Sequence, residues 1–379
     1  MKYVAMSDLH LGQSGADGSG SFSVLSDLPA AMLEKDFAER KLAALSARIA
    51  AFADGDPVTL VLCGDILDLS LSHMRQALSD LIRVLKAIPQ VVEVVYVVGN
   101  HDHHIWSMHS EEKRFLQPMR RGRLPAPGTV YKMTHPQGER NDLLRHMLSA
   151  QVGRKKALDV RVAYPYFMTL VGEDTTVHFS HGHLMGGLYT LTSRILRPRL
   201  VGAPPERAAA TVNVAIIELI YWLFGEMGER MGANGMIEAL HADLAKGGDS
   251  ICKELIDGLV DTVLEDGAVS WIPDSWERAF ARWVGGKMAE DLAKDRKVKP
   301  VSGDRHSELQ STRNKFAAWL IETERDRPTH GKSVFVFGHT HAADKFDVNA
   351  APGSSSPIWA FNMGSWLVEP ERPDPDSYI

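Results

Sequence analysis

The chain has 379 residues, of which 44% are hydrophobic and 24% charged, and a net charge of −6. This excludes a wholly disordered chain, a small disulfide scaffold and a basic nucleic-acid carrier, and leaves room for a large core plus a second module. The two cysteines, Cys63 and Cys252, form no metal-spaced motif and fit a reducing compartment, so a cytoplasmic setting is expected. A strand is expected at the very start of the sequence, so no cleavable leader is expected.

In chain order, apolar runs at Tyr3 to Met6, Val58 to Leu62, Val91 to Val98, Thr176 to Phe179 and Val334 to Phe337 predict strands. Helical periodicity joins the first of them. Leu33, Phe37, Leu42, Leu45, Ile49 and Phe52 mark one helix, and Met74, Leu78, Leu81, Ile82 and Leu85 a second. Alternating strands and helices predict a layered α/β core in which residues at the carboxyl ends of strands share one crevice. A Gly/Ser stretch from Gly12 to Ser23 reads as a rim loop.

A cluster of metal-liking residues follows each strand: Asp8-Leu9-His10, Gly64-Asp65, Gly99-Asn100-His101-Asp102, His181-Gly182-His183 and Gly338-His339-Thr340-His341. Each alone is weak evidence; together, in order, they are not. Carboxylate, imidazole and amide oxygens without thiolate suit Mn, Fe, Zn or Mg, with Mn the first choice. The candidates exceed what one ion holds, so two divalent ions are expected. Such a pair activates water and stabilises charge at phosphorus, which points to phosphate ester hydrolysis. Asp68 reads equally as a support for a metal-ligating histidine or as a helix cap. His103, His104 and His109 receive no role.

These clusters resemble the signature of the calcineurin-like metallophosphoesterase superfamily. The resemblance implies an α/β/β/α sandwich with a large helical insertion. It assigns Asp8, His10 and His341 to one ion, Asn100, His181 and His339 to the other, and Asp65 to both. It takes His181 rather than His183 as the ligand. His101 becomes the residue that protonates the leaving group or stabilises the transition state, oriented by Asp102, while a hydroxide between the ions attacks phosphorus. Asn362-Met363-Gly364-Ser365 resembles the strand-to-turn segment after the last histidine pair, with a structural role.

Residues 184–328 read as a helical insertion that interrupts a core of 1–183 and 329–379. Its candidate helices are Ala208 to Met231, Met236 to Ala245, Ser250 to Glu265, Trp276 to Lys294 and Asp304 to Arg325. It is expected to cap the site and select the substrate. Val212 to Phe224 is too short to span a bilayer and reads first as a buried or oligomer-forming helix, second as a lipid or membrane contact. Residues 103–161 hold twelve Lys/Arg against five Asp/Glu, a local +7. This favours an anionic phosphorylated substrate, with Arg194 and Arg197 as candidate phosphate contacts beside Lys113, Arg114, Arg120, Arg121 and Arg123. General nucleic-acid binding is not expected. The insertion is also similar in placement to the smaller lid of UDP-2,3-diacylglucosamine pyrophosphatases, which often carry Arg where this chain has His101. Two further expectations are therefore a pyrophosphatase acting on a nucleotide-linked lipid or sugar, and a non-catalytic scaffold on the same fold.

Overall fold

A computed structural model describes residues 2–13, 22–26, 37–69, 72, 74–124, 134–153, 157–185, 313–314, 316, 331–348 and 358–368. The expected insertion falls almost wholly outside them, as do Arg194 and Arg197 and four of the five candidate helices. Of the fifth, Arg313, Asn314 and Phe316 are described and helical.

Two five-stranded sheets form the centre. The first has the order β1-β3-β4-β6-β5, from β1 (Lys2–Met6), β3 (Val58–Cys63), β4 (Val91–Val97), β6 (Asp159–Ala163) and β5 (Glu139–Arg140). Its first four strands are parallel, and β5 closes one edge antiparallel. The second has the order β10-β11-β9-β8-β7, from β10 (Asp344–Val348), β11 (Ile358–Asn362), β9 (Lys332–Phe337), β8 (Thr175–Ser180) and β7 (Tyr166–Val171). Here β8, β9 and β11 run parallel between antiparallel edges. A small ribbon pairs β12 (Leu367–Val368) with β2 (Phe22–Ser23).

Strand parity explains the layering, because successive side chains point to opposite faces. All six residues of β3 are buried. Leu60 and Leu62 join Val94, Tyr96, Val160 and Val162 on one face, packed against helices α1 (Phe37–Ala53), α2 (Met74–Ala87) and α5 (Asp142–Val152). Val61, Cys63, Val95, Val97 and Ala163 face the other way, meeting Phe167 and Phe179 of the second sheet. The outer face of that second sheet gathers Phe335, Phe337, Phe346, Ile358 and Ala360 around Phe316. Phe316 stacks on Phe337 with ring centres 5.1 Å apart, and neighbouring Arg313 bonds both oxygens of Asp344 at 2.8 Å. The result is the mixed α/β, two-sheet architecture expected from the sequence.

The helix ends have local causes. Asn141 caps α5 by accepting from the Leu144 amide at 2.6 Å, and Gly153, left-handed at φ 70°, ends it. Helix α3 (His104–Glu111) passes through one π turn (Glu112–Leu116) into α4 (Gln117–Arg120). Among the described residues no helix is long and apolar enough to cross a membrane.

Candidate metal centre

The parallel strands end on one side of the sandwich, and every ligand candidate lies just past such an end. Asp8 and His10 follow β1, Asp65 follows β3 and Asn100 follows β4; His181 follows β8, and His339 and His341 follow β9. Among the described residues, six non-glycine positions have positive φ, and five of them are Asp8 (52°), His10 (45°), Asp65 (50°), His339 (70°) and His341 (56°). Left-handed backbone costs an ordinary L-residue about 1–3 kcal/mol, and its concentration here marks a site whose backbone is held by its surroundings.

Among the described residues the side chains converge in three groups of potential ligands; one, His10, Asp68 and His101, is joined by hydrogen bonds, and the other two gather the predicted ligands. Asp8, His10 and His341 form one, with Asp8 Oδ1 3.4 Å from His341 Nε2 and the rings of His10 and His341 5.3 Å apart. Asp65, His181 and His339 form the other, with Asp65 Oδ2 3.0 Å from His181 Nε2. The amide oxygen of Asn100 lies 3.0 Å from the same His181 nitrogen. Asp65 Oδ2 is also 3.9 Å from His10 Nε2, so one carboxylate oxygen faces both groups.

The histidines are held by their far nitrogens. His10 donates from Nδ1 to Asp68 Oδ2 at 3.0 Å, and His181 from Nδ1 to the Cys63 carbonyl at 3.1 Å. Nε2 of each ring is thereby directed into the cleft as a potential ligand atom. Backbone amides fix the carboxylates: His339 N–H donates to both Asp8 oxygens at 3.0 Å, and His101 N–H to Asp65 Oδ1 at 2.9 Å.

Electrostatics show what the cleft accepts. Burial opposes ionisation of Asp8, but its hydrogen bond with His341 and the charge of His181 outweigh burial and hold the carboxyl below its ordinary value. Asp65 is likewise kept well down, against burial, by His181, His101 and His10. Burial alone would suppress protonation of His181, yet Asp65, followed by Asp8, drives its pKa up to about 9. The cleft therefore draws positive charge. A divalent cation fits on two further grounds. The buried Nε2 of His10 has no hydrogen-bond partner, and oxygen and imidazole donors without thiolate suit Mn, Fe, Zn or Mg.

Two side chains have roles that spacing did not separate. Asp102 does not orient His101. Its carboxylate turns into the protein, accepting from the Gly99 amide at 2.7 Å, the Ile66 amide at 2.8 Å and the Tyr96 hydroxyl at 2.7 Å. Burial and then the charge of Asp65 raise it to about 6. It ties the β4 loop to the β3 loop. Asp68 holds His101 instead, accepting from its Nδ1 at 3.2 Å while also holding His10. The support reading of Asp68 is the one its geometry matches.

The remaining candidates lie around this centre. His183 is buried with its ring 5.3 Å from that of His181, but it is in none of the three groups of potential ligands. His103 and His109 are buried: His103 meets the Tyr164 ring edge-on at 5.7 Å, and His109 lies between Asn141 and Glu139. The segment Asn362 to Ser365 supports the last loop: the Asn362 amide donates to the Thr340 hydroxyl, and the Ser365 hydroxyl to the Asp8 carbonyl at 3.4 Å. Two glycines were not singled out by sequence reasoning. A methyl group at Gly338 would overlap the Asp8 carboxylate and the Ser7 hydroxyl, and one at Gly99 would overlap Asp65.

Two sheets with parallel centres and a shared His/Asp cleft are consistent with metal-dependent phosphoesterase chemistry. The calcineurin-like phosphoesterase family matches residues 1–197, and the chain belongs to that family. Comparisons with curated proteins and with solved structures returned no match.

Proposed function

We propose that the protein is a binuclear metal-dependent hydrolase of phosphate mono- or diesters. The observation that carries this reading is the Asp65 carboxylate oxygen, 3.0 Å from His181 Nε2 on one side and 3.9 Å from His10 Nε2 on the other. A structural single-ion site has no use for a carboxylate facing two ligand groups. In this reading Asp8, His10 and His341 hold one ion, Asn100, His181 and His339 the other, and Asp65 both. When bound, the ions supply a water acidic enough to attack near neutral pH and positive charge for the phosphate oxygens.

The chain's own groups do the rest. Asp68 accepts a hydrogen bond from the His101 Nδ1–H, which fixes the ring and orients Nε2 as the atom that delivers a proton to the departing oxygen. The side chain of His101 is 20% exposed while that of Asp68 is fully buried, so the imidazole reaches the cleft from a fixed base. Residues 184–328 are proposed as the module that selects the substrate, with Arg194 and Arg197 on its phosphate.

The test is hydrolysis of p-nitrophenyl phosphate and bis-p-nitrophenyl phosphate by protein stripped with chelator and reloaded with Mn, Fe, Zn or Mg, with bound metal quantified. Two ions per chain and metal-dependent turnover are expected, greatest with Mn. Two bound ions with no turnover of either ester would favour a scaffold. A single bound ion would remove the bridging role of Asp65.

A further inference from the structure

The far end of the helix that starts beside His101 has an unusual surface. From His104 the chain runs through α3, the π turn and α4 to Arg120, placing its tip roughly 20 Å from the metal centre along the helix axis. Large apolar side chains face outward there: Phe115 is 40% exposed, Leu116 39%, Met119 63% and Leu124 92%. Phe115 and Met119 are one helical step apart, so they share a face. Five cations lie in the same segment: Lys113 and Arg114, half-buried, and Arg120, Arg121 and Arg123, exposed. Arg114 lies over the Phe115 ring at 5.1 Å. Glu112 is turned inward, accepting from the Asp142 and Leu143 amides, and leaves Glu111 as the one exposed acid within residues 111–124.

We propose that this helix tip is a membrane-docking surface for an anionic lipid bilayer. Apolar side chains that remain exposed next to a basic cluster match the physical demands of the headgroup boundary. The aliphatic and aromatic groups enter the acyl edge while the guanidiniums meet lipid phosphates. Charge complementarity selects this occupant, because a chain of net charge −6 concentrates five cations on one short segment. The apolar groups favour a bilayer over a nucleic acid, whose backbone gives Leu116, Met119 and Leu124 nothing to bury against. Docking through this tip would hold the metal centre at a fixed height above the lipid surface. The inference does not depend on the proposed hydrolysis.

The test uses the full-length protein in co-sedimentation with vesicles of phosphatidylcholine alone and of phosphatidylcholine with roughly one third phosphatidylglycerol. Binding only to the anionic vesicles, weakening with salt, is expected. Replacing Arg120, Arg121 and Arg123 together by Gln should reduce affinity on the order of 100-fold. The pair Phe115→Ser and Met119→Ser should weaken binding while leaving its salt dependence unchanged. Equal binding to neutral vesicles, no binding at all, or displacement by a low concentration of duplex DNA would overturn the proposal. So would a fall of several degrees in the melting temperature of the Ser pair, or a smaller assembly than the wild-type protein forms in sedimentation. Either would show that the patch is packed against protein.

Discussion

A carboxylate that accepts from two imidazoles at once fixes both rings, and Asp68 does this for His10 and His101. Asp68→Asn should therefore weaken metal binding about 10–100-fold, the usual cost of losing a group behind a ligand, and slow turnover as well. His101→Ala should behave differently. Metal content should stay near wild type while turnover falls about 100-fold or more for esters with poor leaving groups, and much less for p-nitrophenyl esters, whose leaving group needs little protonation. Metal analysis beside kinetics separates the two, and loss of both ions from His101→Ala would remove its assignment as an acid. The residue types of the centre were legible in the sequence because each cluster pairs a carboxylate or imidazole with the turn after an apolar run. The direction of each side chain was not. Asp68 and Asp102 both lie close to the ligand positions, and only the packing of the β3 and β4 loops decides that one faces the imidazoles and the other faces Tyr96.

At the level of elements, the loops after β4 and β9 work because glycine lets a carboxylate approach the backbone. Gly338→Ala should cost about 1–3 kcal/mol through overpacking and displace Asp8, so a lower melting temperature should accompany a loss of bound metal. Phe316 offers the complementary case on the outer face of the second sheet. It is 1% exposed, and Phe316→Ala should cost about 3–5 kcal/mol in calorimetric or denaturant unfolding of the core. The neighbouring hydrogen bond from Arg313 holds the Asp344 carboxyl below its ordinary value of 3.8. A carboxyl with a lowered native pKa contributes stability above its unfolded pKa and loses it as pH falls through the native one. Wild-type stability should thus decline below about pH 4 more steeply than that of Asp344→Asn, in acid titrations followed by circular dichroism. Of the ten strands in the two large sheets, β1, β3, β4, β8 and β9 were visible as apolar runs, and the first two helices as helical periodicity, while β6 and β11 were not singled out. The hairpin β7 and β8 was half missed, because Tyr166–Val171 ends in exposed Leu170 and Val171 and carries no clean alternation.

For the molecule as a whole, the candidate ligands divide four to three between the layers. Asp8, His10, Asp65 and Asn100 extend from the first sheet, and His181, His339 and His341 from the second. Chelation should then lower the melting temperature, since an ion that binds only the native state contributes about 2.7 kcal/mol when present at about a hundred times its Kd. Between the sheets lie Val61, Cys63, Val95, Val97, Phe167 and Phe179, with Phe167 and Phe179 stacked at 5.8 Å. In the proposed reading, the thickness of that apolar filling sets the spacing between the ligands of the two layers. The interior thus acts as a caliper for the chemistry: trimming Phe179 to Leu, with every coordinating atom intact, should shift which ion fits best. In the reverse direction, ions held as proposed would tie the two slabs together, and their removal should speed amide exchange along β3 and β9 alike.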